Sequence, residues 1–268
     1  MERLFSSAKV NLGLWVVGRR PDGYHEIVTV YKEIPLYDEI TLDEGLLEVR
    51  TDAGIPEREN LVYKGLLLFK RLTGIEPRYR VFIKKRVPVG SGLGGGSANL
   101  ATVLKRVNEL EGSPLGKDEL ARLVGSLSSD APFFLVGGCA LGLGRGERVA
   151  PARGCPGGPL TVVVPPVSVS TARVYKALTE RHFTPFEEAF FKARRVLKGR
   201  LEEAYNALGE LSQRLYPEVG EVVRYLKSLG LRPLVSGTGS AVFFLGPAPE
   251  ELKLACRARG WRLYELSS

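Results

Sequence analysis

The sequence predicts an α+β protein of two lobes that meet near residue 155. Strand patterns and helix patterns occur in runs as well as in alternation along the 268 residues. The stretch "GCPGGP", residues 154–159, is rich in glycine and proline and is the best linker in the chain. Because this length allows one large domain or two modest ones, we expect an N-terminal domain over 1–154 and a C-terminal domain over 155–268.

The N-terminal lobe is predicted to begin with strands. "KVNLGLWVV" and "EIVTVYKEI" alternate or carry β-branched and aromatic residues, and "RRPDGYH" between them has the chemistry of a turn. "LLEVRT" is a further candidate strand. The apolar residues of "ENLVYKGLLLFKRLTG" recur at helical intervals, and this helix is predicted to end at Gly74. "RYRVFIKKRV" then predicts a strand.

The later elements follow a glycine-rich stretch, "PVGSGLGGGSANL" at 88–100. "SANLATVLKRVNELEG" and "KDELARLVGSL" predict helices. "APFFLVGGCALGLGRGERVAPA" predicts a pair of strands broken by glycines, which places Asp130 after a helix and directly before a hydrophobic strand. Beyond the linker we expect a strand over "LTVVVPP", helical segments over about 172–229, a loop and strand in "PLVSGTGSAVFFLG", and a closing helix and strand in "PEELKLACRARG" and "WRLYEL".

Composition limits the classes of partner without naming one. The formal net charge of +8 permits nucleic acid, a membrane surface or a polyanionic small molecule. Basic residues are interleaved with acidic ones, and no arginine-rich tail or known nucleic-acid motif is present, so we expect neither a nucleic-acid nor a membrane partner. The N-terminus lacks the pattern of a signal peptide and no apolar run reaches the length of a membrane span, which predicts a cytoplasmic protein.

The cysteines and histidines indicate neither a metal site nor a Ser-His triad. Cys139, Cys155 and Cys256 have no metal-ligand spacing, and their odd number argues against a disulfide framework. We therefore expect them to be small buried apolar side chains. Two histidines, His25 and His182, are few for a zinc site or a catalytic triad.

The glycine-rich stretch favours phosphate binding. Gly90, Gly92 and Gly95 match the spacing of a dinucleotide-binding loop, but the helix after them leads to another helix and not to the strand and acid that would hold a ribose. Gly96 is followed by serine without the lysine of a Walker A loop. Five glycines before a helix still let backbone N–H groups approach an anion near the positive helix end. The alternative is a plain strand-to-helix turn, which seldom needs five glycines.

Three further features combine with this loop. Lys9 and Asn11 share one face of the first strand, Asp130 precedes an apolar run, and "VSGTGSAVFFL" at 235–245 is a second loop of small residues. Together these ordered motifs resemble the GHMP kinase superfamily, named for galacto-, homoserine, mevalonate and phosphomevalonate kinases. "AKVNL", "GRRPDGYHEI", "NLVYKG" and "GLGGGSAN" resemble the branch that acts on a cytidine-diphosphate alcohol. Departures at Ala131, Val235 and Thr238 remove no functional group.

This resemblance implies a GHMP kinase fold, with an N-terminal ribosomal-protein-S5-like β/α lobe that binds ATP and a C-terminal α/β-plait-like lobe. It implies ATP-dependent phosphorylation of the 2-hydroxyl of 4-diphosphocytidyl-2-C-methyl-D-erythritol, in the non-mevalonate route to isoprenoid precursors, with Mg²⁺ as cofactor. One alternative is another GHMP small-molecule kinase, of homoserine, sugar or mevalonate type. A second is a basic RNA- or ribosome-binding protein in which Lys9 and Asp130 have no catalytic role; its binding would depend steeply on salt.

The resemblance also implies residue roles. Asp130 would accept the proton of the attacking hydroxyl or only orient that hydroxyl, and Lys9 would keep the carboxylate ionised and face the transferring phosphoryl group. Ser97 would contact Mg²⁺, and Asn60 would lie on the nucleotide side. The residues assigned to the ATP phosphates are Pro88, Val89, Gly90, Ser91, Gly92, Leu93, Gly94, Gly95, Gly96, Ser97 and Ala98.

The acceptor side needs a flat slot for cytosine. By resemblance, Tyr24 and Tyr175 would stack on the base and His25 would donate or accept hydrogen bonds at its edge. Core packing is the alternative for any one of the tyrosines, including Tyr31. The remaining residues assigned to the acceptor are Asn11, Tyr31 and Thr171, with Gly237 and Gly239 allowing the second loop to close.

Overall fold

The computed structural model describes residues 1–267, which form two β-sheets and nine α-helices. Every strand of the first sheet lies between residues 2 and 151, and every strand of the second lies between 160 and 266. The stretch 154–159 between the sheets contains no helix or strand. Within residues 1–267, no helix combines the length and apolar character that crossing a membrane requires.

The first sheet is built on one long antiparallel hairpin. Its second strand is central: the half after the hairpin turn pairs with residues 139–144 and the far half pairs with residues 79–84. This pairing places Asn11 directly opposite Tyr31, so polar residues of both strands meet at one position. The strands of this sheet are β1 (Glu2–Arg19), β2 (His25–Glu44), β3 (Glu48–Thr51), β4 (Tyr79–Lys84), β5 (Cys139–Gly144) and β6 (Arg148–Pro151).

Three helices cover one face of this sheet: α1 (Leu61–Thr73), α2 (Gly95–Leu110) and α3 (Lys117–Leu127). Leu66 of α1 and Leu104 of α2 are buried in one cluster with Ile40 of the sheet. Burial of the apolar face of each amphipathic helix against the sheet stabilises that helix. Helix α1 ends as predicted, because Gly74 takes a φ of 75° and donates its N–H to the Lys70 carbonyl. Helix α2 begins two residues before Ser97, inside the glycine run.

The predicted strand after Asp130 is wrong. Residues Ala131–Val136 form a short helix, α4, and the strand begins only at Cys139. Pro132 lies in the first turn, where its missing N–H costs nothing, and Gly137 ends the helix with a φ of 75°. A short apolar run has no period that separates strand from helix. Asp130 is therefore the residue that precedes a helix.

The second sheet has the order β10–β7–β9–β8, and each neighbouring pair is antiparallel. Its strands are β7 (Leu160–Val164), β8 (Leu234–Val235), β9 (Val242–Leu245) and β10 (Arg262–Leu266). The helices of this half are α5 (Thr171–Lys176), α6 (Phe186–Leu197), α7 (Ala207–Leu215), α8 (Pro217–Ser228) and α9 (Glu250–Arg259).

The two halves share a buried core. Val10 and Trp15 of β1 pack in one cluster with Val162, Ala193 and Phe243 of the second half. Helix α6 packs on both strands of the long hairpin. Apolar burial across this junction, which contributes about 25 cal/mol per Å² of apolar surface, holds the halves together. The boundary near residue 155 stays a prediction about domains.

The prediction that the cysteines form no disulfide is wrong, and so is the predicted burial of Cys155, whereas Cys139 is buried as predicted. Cys139 and Cys155 are joined in a disulfide, and Cys155 is exposed. They are 16 residues apart in sequence, but the chain returns past the start of β5, and their Cα atoms are 5.6 Å apart. An odd number of cysteines does not prevent one such pair. Cys256 is free and buried, as predicted.

Candidate active site

The glycine-rich loop between β4 and α2 has a conformation that requires glycine. Gly92 and Gly94 have φ values of 79° and 75°, in the region that side chains disfavour. A Cβ on Gly92 would also collide with the carbonyl oxygen of Ser236. The loop therefore passes closer to the second half of the protein than any residue with a side chain would permit.

The loop leads into a helix end that can bind an anion. Gly94 precedes helix α2 and supplies no capping side chain. The N–H groups of Gly95, Gly96 and Ser97 donate to no other residue within 1–267. These free donors and the partial positive charge of the helix end together attract phosphate.

Hydrogen bonds fix this loop from both halves of the molecule. The Lys9 N–H donates to the Leu93 carbonyl at 2.9 Å, which ties the loop to β1. From the other half, Ala241 N–H donates to the Ser91 carbonyl at 2.9 Å and Ser236 Oγ donates to the Gly92 carbonyl at 3.0 Å. The second small-residue loop thus packs directly on the first.

Lys9 and Asp130, both assigned from the sequence, form an ion pair beside this loop. Lys9 Nζ lies 3.0 Å from Asp130 Oδ2, and the Lys9 side chain is 3% exposed while that of Asp130 is 31% exposed. The ammonium also donates to Asn11 Oδ1 at 2.8 Å, and Asn11 in turn donates to Thr29. A buried cation held by two partners has a fixed position, and its carboxylate partner remains open to the cleft.

Tyr31 contacts the same carboxylate. Its ring is fully buried and its hydroxyl donates to Asp130 Oδ1 at 2.9 Å. Burial, and next the negative charge of Asp130, raise the pKa of Tyr31, so the hydroxyl keeps its proton and remains a donor. Tyr31 is therefore a buried residue that lines the cleft and donates a hydrogen bond to Asp130, and its assignment to the acceptor stays a prediction.

An interlobe cleft of about 1180 Å³ opens from this ion pair. At its far end the rings of His25 and Tyr175 lie 5.4 Å apart, and the Arg145 guanidinium lies 4.5 Å from the centre of the Tyr24 ring. The sequence-assigned residues that line the cleft are Lys9, Asn11, Tyr24, His25, Tyr31, Gly92, Asp130, Thr171, Tyr175 and Gly237.

The histidine and Tyr175 at this end have shifted pKa values. Partial burial, and next the charge of Arg19, lower the pKa of His25 from its ordinary value of 6.5. The imidazole is therefore neutral at pH 7 and offers one donor and one acceptor. Burial, with a smaller contribution from Asp130, raises the pKa of Tyr175, whose hydroxyl stays neutral.

Some assigned residues lie away from the cleft. Gly239 packs against Val235 and Ser212, and it does not line the cavity. Asn60 caps helix α1 by accepting from the Val62 N–H at 2.9 Å, and the adjacent Leu61 lies against Gly96. Pro88 and Val89 line a separate cavity of about 410 Å³. The other loop residues surround the end of helix α2.

The cleft also contains cations that the sequence reasoning missed. Arg19, Arg145 and Lys176 line it, as do the hydroxyls of Ser128 and Thr238. Arg145 belongs to the quoted stretch "APFFLVGGCALGLGRGERVAPA", but a single arginine on a predicted strand pair looks solvent-facing. Arg19 belongs to the motif "GRRPDGYHEI" but was not assigned a role, and Lys176 lies in no quoted motif. Only the hairpin and helix α5 bring the two side chains to one wall of the cleft.

The environment of Ser97 fits a magnesium ion that is carried by phosphates. Ser97 Oγ lies 2.7 Å from Ser128 Oγ. Ser128 precedes Asp130 by two residues in the chain. Residues 1–267 contain no cluster of three histidine, cysteine or acidic side chains that could hold a metal ion. Mg²⁺ commonly takes one or two protein oxygens and completes its shell with phosphate and water. These hydroxyls suit that arrangement.

Comparison with known proteins identifies the family of this chain. Residues 60–138 match the family model described as GHMP kinases N terminal domain. The chain is 40% identical over 268 residues to the 4-diphosphocytidyl-2-C-methyl-D-erythritol kinase of Persephonella marina, covering 98% of each chain. It is 40% identical over 271 residues to the enzyme of the same name from Hydrogenobaculum sp., covering 98% of this chain and 93% of the relative.

A solved structure indicates the same family. The crystal structure of a 4-(cytidine 5'-diphospho)-2C-methyl-D-erythritol kinase superposes with a TM-score of 0.79 at 34% identity, covering 100% of both chains. The α+β class and the GHMP kinase fold expected from the sequence are therefore confirmed.

Proposed function

The chain belongs to the family of 4-diphosphocytidyl-2-C-methyl-D-erythritol kinases, GHMP kinases of the isoprenoid pathway, and from that premise we propose which residues perform the reaction. The reaction transfers the γ-phosphoryl group of ATP to the 2-hydroxyl of the cytidine-diphosphate alcohol. One observation carries the assignment: the Lys9–Asp130 pair lies between the anion-binding end of helix α2 and the open cleft.

Asp130 is the group nearest the acceptor hydroxyl. Its carboxylate is held by Lys9 at 3.0 Å and by the Tyr31 hydroxyl at 2.9 Å, and it keeps access to the cleft. In this position it accepts the proton of the attacking hydroxyl, early or late, as the loose transition state of phosphoryl transfer permits. The proton leaves the hydroxyl as the bond from its oxygen to phosphorus forms and the bond to ADP breaks.

Lys9 is suited to stabilise the moving phosphoryl group. A Cβ on Gly94 would lie 3.1 Å from Lys9 Cε, and one on Gly237 would lie 3.6 Å from Lys9 Nζ. The ammonium is thus enclosed by both small-residue loops, with little solvent. A cation fixed before the substrate arrives stabilises charge on the equatorial oxygens without reorganisation.

The glycine loop binds ATP through its backbone. The free N–H groups of Gly95, Gly96 and Ser97 suit the phosphates. The contact of Leu61 with Gly96 supports the assignment of the neighbouring Asn60 to the nucleotide side. Ser97 and Ser128, whose hydroxyl oxygens lie 2.7 Å apart, would hold Mg²⁺. When bound, Mg²⁺ neutralises phosphate charge and orients the leaving group.

The far end of the cleft suits a pyrimidine nucleoside diphosphate. Tyr24 and Tyr175 offer ring faces, and the neutral His25 offers hydrogen bonds at a base edge. Base–aromatic stacking contributes about 1–3 kcal/mol per base. Arg19 and Arg145 supply positive charge at this end of the cleft for the diphosphate. The aromatic end and the relatives together favour this acceptor over homoserine, a sugar or mevalonate.

The test is an ADP-release assay with four acceptors at equal concentration. We expect ADP with 4-diphosphocytidyl-2-C-methyl-D-erythritol and none above background with mevalonate, homoserine or galactose. Cytidine diphosphate should compete with the first acceptor, since it carries the same base and diphosphate. ADP release with one of the other three and none with the cytidine compound would overturn the proposal.

A further inference from the structure

A buried carboxylate on β2 lies behind the glycine loop and contacts both of its ends. Asp38 is 0% exposed and lies outside the cleft, so it does not touch the acceptor. Its carboxylate is fully buried, which is costly unless both of its oxygens have partners. The contacts of this side chain therefore need a reason beyond packing.

One carboxylate oxygen binds the chain that enters the loop. Asp38 Oδ1 accepts the N–H of Arg86 at 2.7 Å and the N–H of Val87 at 2.8 Å. These residues follow the end of β4 and directly precede the loop at 88–98. Two irregular N–H groups that have left the sheet thus obtain an acceptor, and the direction of the chain entering the loop is fixed.

The other carboxylate oxygen binds the helix that leaves the loop. Asp38 Oδ2 accepts from Asn99 Nδ2 at 3.0 Å and from the ammonium of Lys85. Asn99 lies in the second turn of helix α2, and it also accepts from Lys85 at 3.1 Å and donates to Ser6 at 2.6 Å. One side chain therefore joins both ends of the loop.

Packing at the loop base depends on the same arrangement. A Cβ on Gly95 would lie 2.9 Å from Val87 Cγ1 and 3.1 Å from Lys85 Nζ. Val87 thus presses directly on the first residue of helix α2, whose free N–H is assigned to phosphate. A change in the position of Val87 moves that N–H group. Lys85 balances the charge of Asp38, so the carboxylate adds no net negative charge behind the phosphate site.

We propose that Asp38 is a positioning residue for ATP: with Lys85, Asn99 and the N–H groups of Arg86 and Val87, it sets the distance between the two ends of the glycine loop. We call this group the Asp38 staple. The inference rests on the proposed function, in which that loop binds the phosphates of ATP. It predicts that damage to the staple weakens nucleotide binding and leaves acceptor binding intact.

The test compares two charge-neutral double variants. The first variant combines Asp38→Asn with Lys85→Met and removes both charges. Its new amide oxygen still accepts the N–H groups of Arg86 and Val87. Its NH₂ group donates to the Asn99 amide oxygen once the Asn99 amide has rotated by 180°. Asp38→Leu with Lys85→Met has a similar volume and no acceptor. Glu39→Gln is the matched control, because Glu39 is the next residue of β2 and binds only the Arg86 side chain on this segment.

The measurements are the Kd of a non-hydrolysable ATP analogue, the KM values of ATP and acceptor, and hydrogen exchange over residues 86–98. We expect the leucine variant to raise the Kd and the KM for ATP about tenfold, with an acceptor KM within about twofold and faster exchange at Arg86 and Val87. The asparagine variant and Glu39→Gln should stay within about threefold of wild type for ATP.

A folded leucine variant with wild-type nucleotide affinity would overturn the proposal, as would equal increases in both KM values. An asparagine variant as impaired as the leucine variant would also overturn it, because charge and not N–H acceptance would then be responsible. If the leucine variant does not fold, Asn99→Ala removes, of the contacts that Asp38 makes, only the one with helix α2. This variant must then raise the KM for ATP and leave the acceptor KM unchanged. Nucleotide binding is measured without acceptor, so an absence of turnover would count against the proposed function and not against the staple.

Discussion

The two ends of the interlobe cleft are built differently. At the phosphoryl-transfer end Lys9, Asn11 and Thr29 are buried and hydrogen-bonded to one another. At the nucleoside end Tyr24 is 54% exposed, and the side chains of Tyr24 and His25 make no hydrogen bond within residues 1–267. The transfer end holds its charges in place before any ligand arrives, which is what electrostatic catalysis requires. The nucleoside end leaves the Tyr24 hydroxyl and the His25 ring nitrogens without hydrogen-bond partners among the described residues, so the edge of a base binds there without breaking a hydrogen bond inside the protein.

The largest effect should come from the transfer end. Lys9→Ala removes the cation that faces the phosphoryl group, and we expect kcat to fall about a thousandfold, in line with the loss of a fixed charge-stabilising donor. The KM for the acceptor should change little because stacking is untouched. Steady-state kinetics at saturating ATP measures both constants. A raised acceptor KM with a normal kcat would mean that Lys9 contributes to acceptor binding and not to phosphoryl transfer. The two ends of the cleft would then not differ in function as proposed.

The opposite pattern is expected at the nucleoside end. Tyr175→Ala removes a ring face and should raise the acceptor KM about 10- to 100-fold, from the stacking energy of one base, with kcat nearly unchanged. Tyr37→Ala is the matched control, since that tyrosine is exposed and lies outside the cleft. Equal effects of the two substitutions would show that Tyr175 does not contact the base.

A smaller effect is expected from Tyr31→Phe. The substitution removes one hydrogen bond to Asp130 and keeps the buried ring that stacks on Phe133 at 4.8 Å. We expect kcat to fall about tenfold, the value of one hydrogen bond to a charged group, with the thermal midpoint nearly unchanged. Unchanged kcat together with a lower thermal midpoint would instead mark Tyr31 as a core residue only.

The smallest effect concerns pH. Burial, and next the charge of Arg19, lower the pKa of His25 below its ordinary value of 6.5, so the acceptor KM should stay constant as the pH falls to 6.5 and rise only at lower pH. The unfolded chain binds this proton at higher pH than the folded one, so the free energy of unfolding decreases over the same range. An NMR titration of the His25 ring checks the order of the two pKa values, and His25→Gln should flatten the KM profile.

The sequence predicted these two ends unequally well. The glycine loop could be predicted from the sequence because its backbone conformation requires glycine, as the positive φ of Gly92 and Gly94 confirms. Lys9 and Asp130 were found through the order of their motifs, whereas their 3.0 Å contact depends on how β1 meets the start of α4. The strand predicted after Asp130 was wrong because six apolar residues carry no clear period.

Other features needed the folded chain. Asp38 lies in "YDEI", where alternation on a strand looks like a solvent-facing acid, and only the return of β4 and α2 buries it. Arg19 and Lys176 meet in one wall because the second half packs on the hairpin. The disulfide partner of Cys139 comes from the linker, whose path no local pattern predicts. Such residues are defined by contacts between distant segments.

The most direct test of the transfer end is a single-turnover rapid-quench experiment on Asp130→Asn with ATP and the cytidine-diphosphate alcohol both saturating. The substitution keeps the shape of the side chain and its contact with Tyr31 but removes the charge that accepts the proton. We predict that the rate of phosphoryl transfer falls about a thousandfold, within the range for loss of a general base, while the Kd of each ligand stays within about threefold of wild type. A transfer rate close to that of the wild type would contradict the assignment of Asp130 as either base or orienting group.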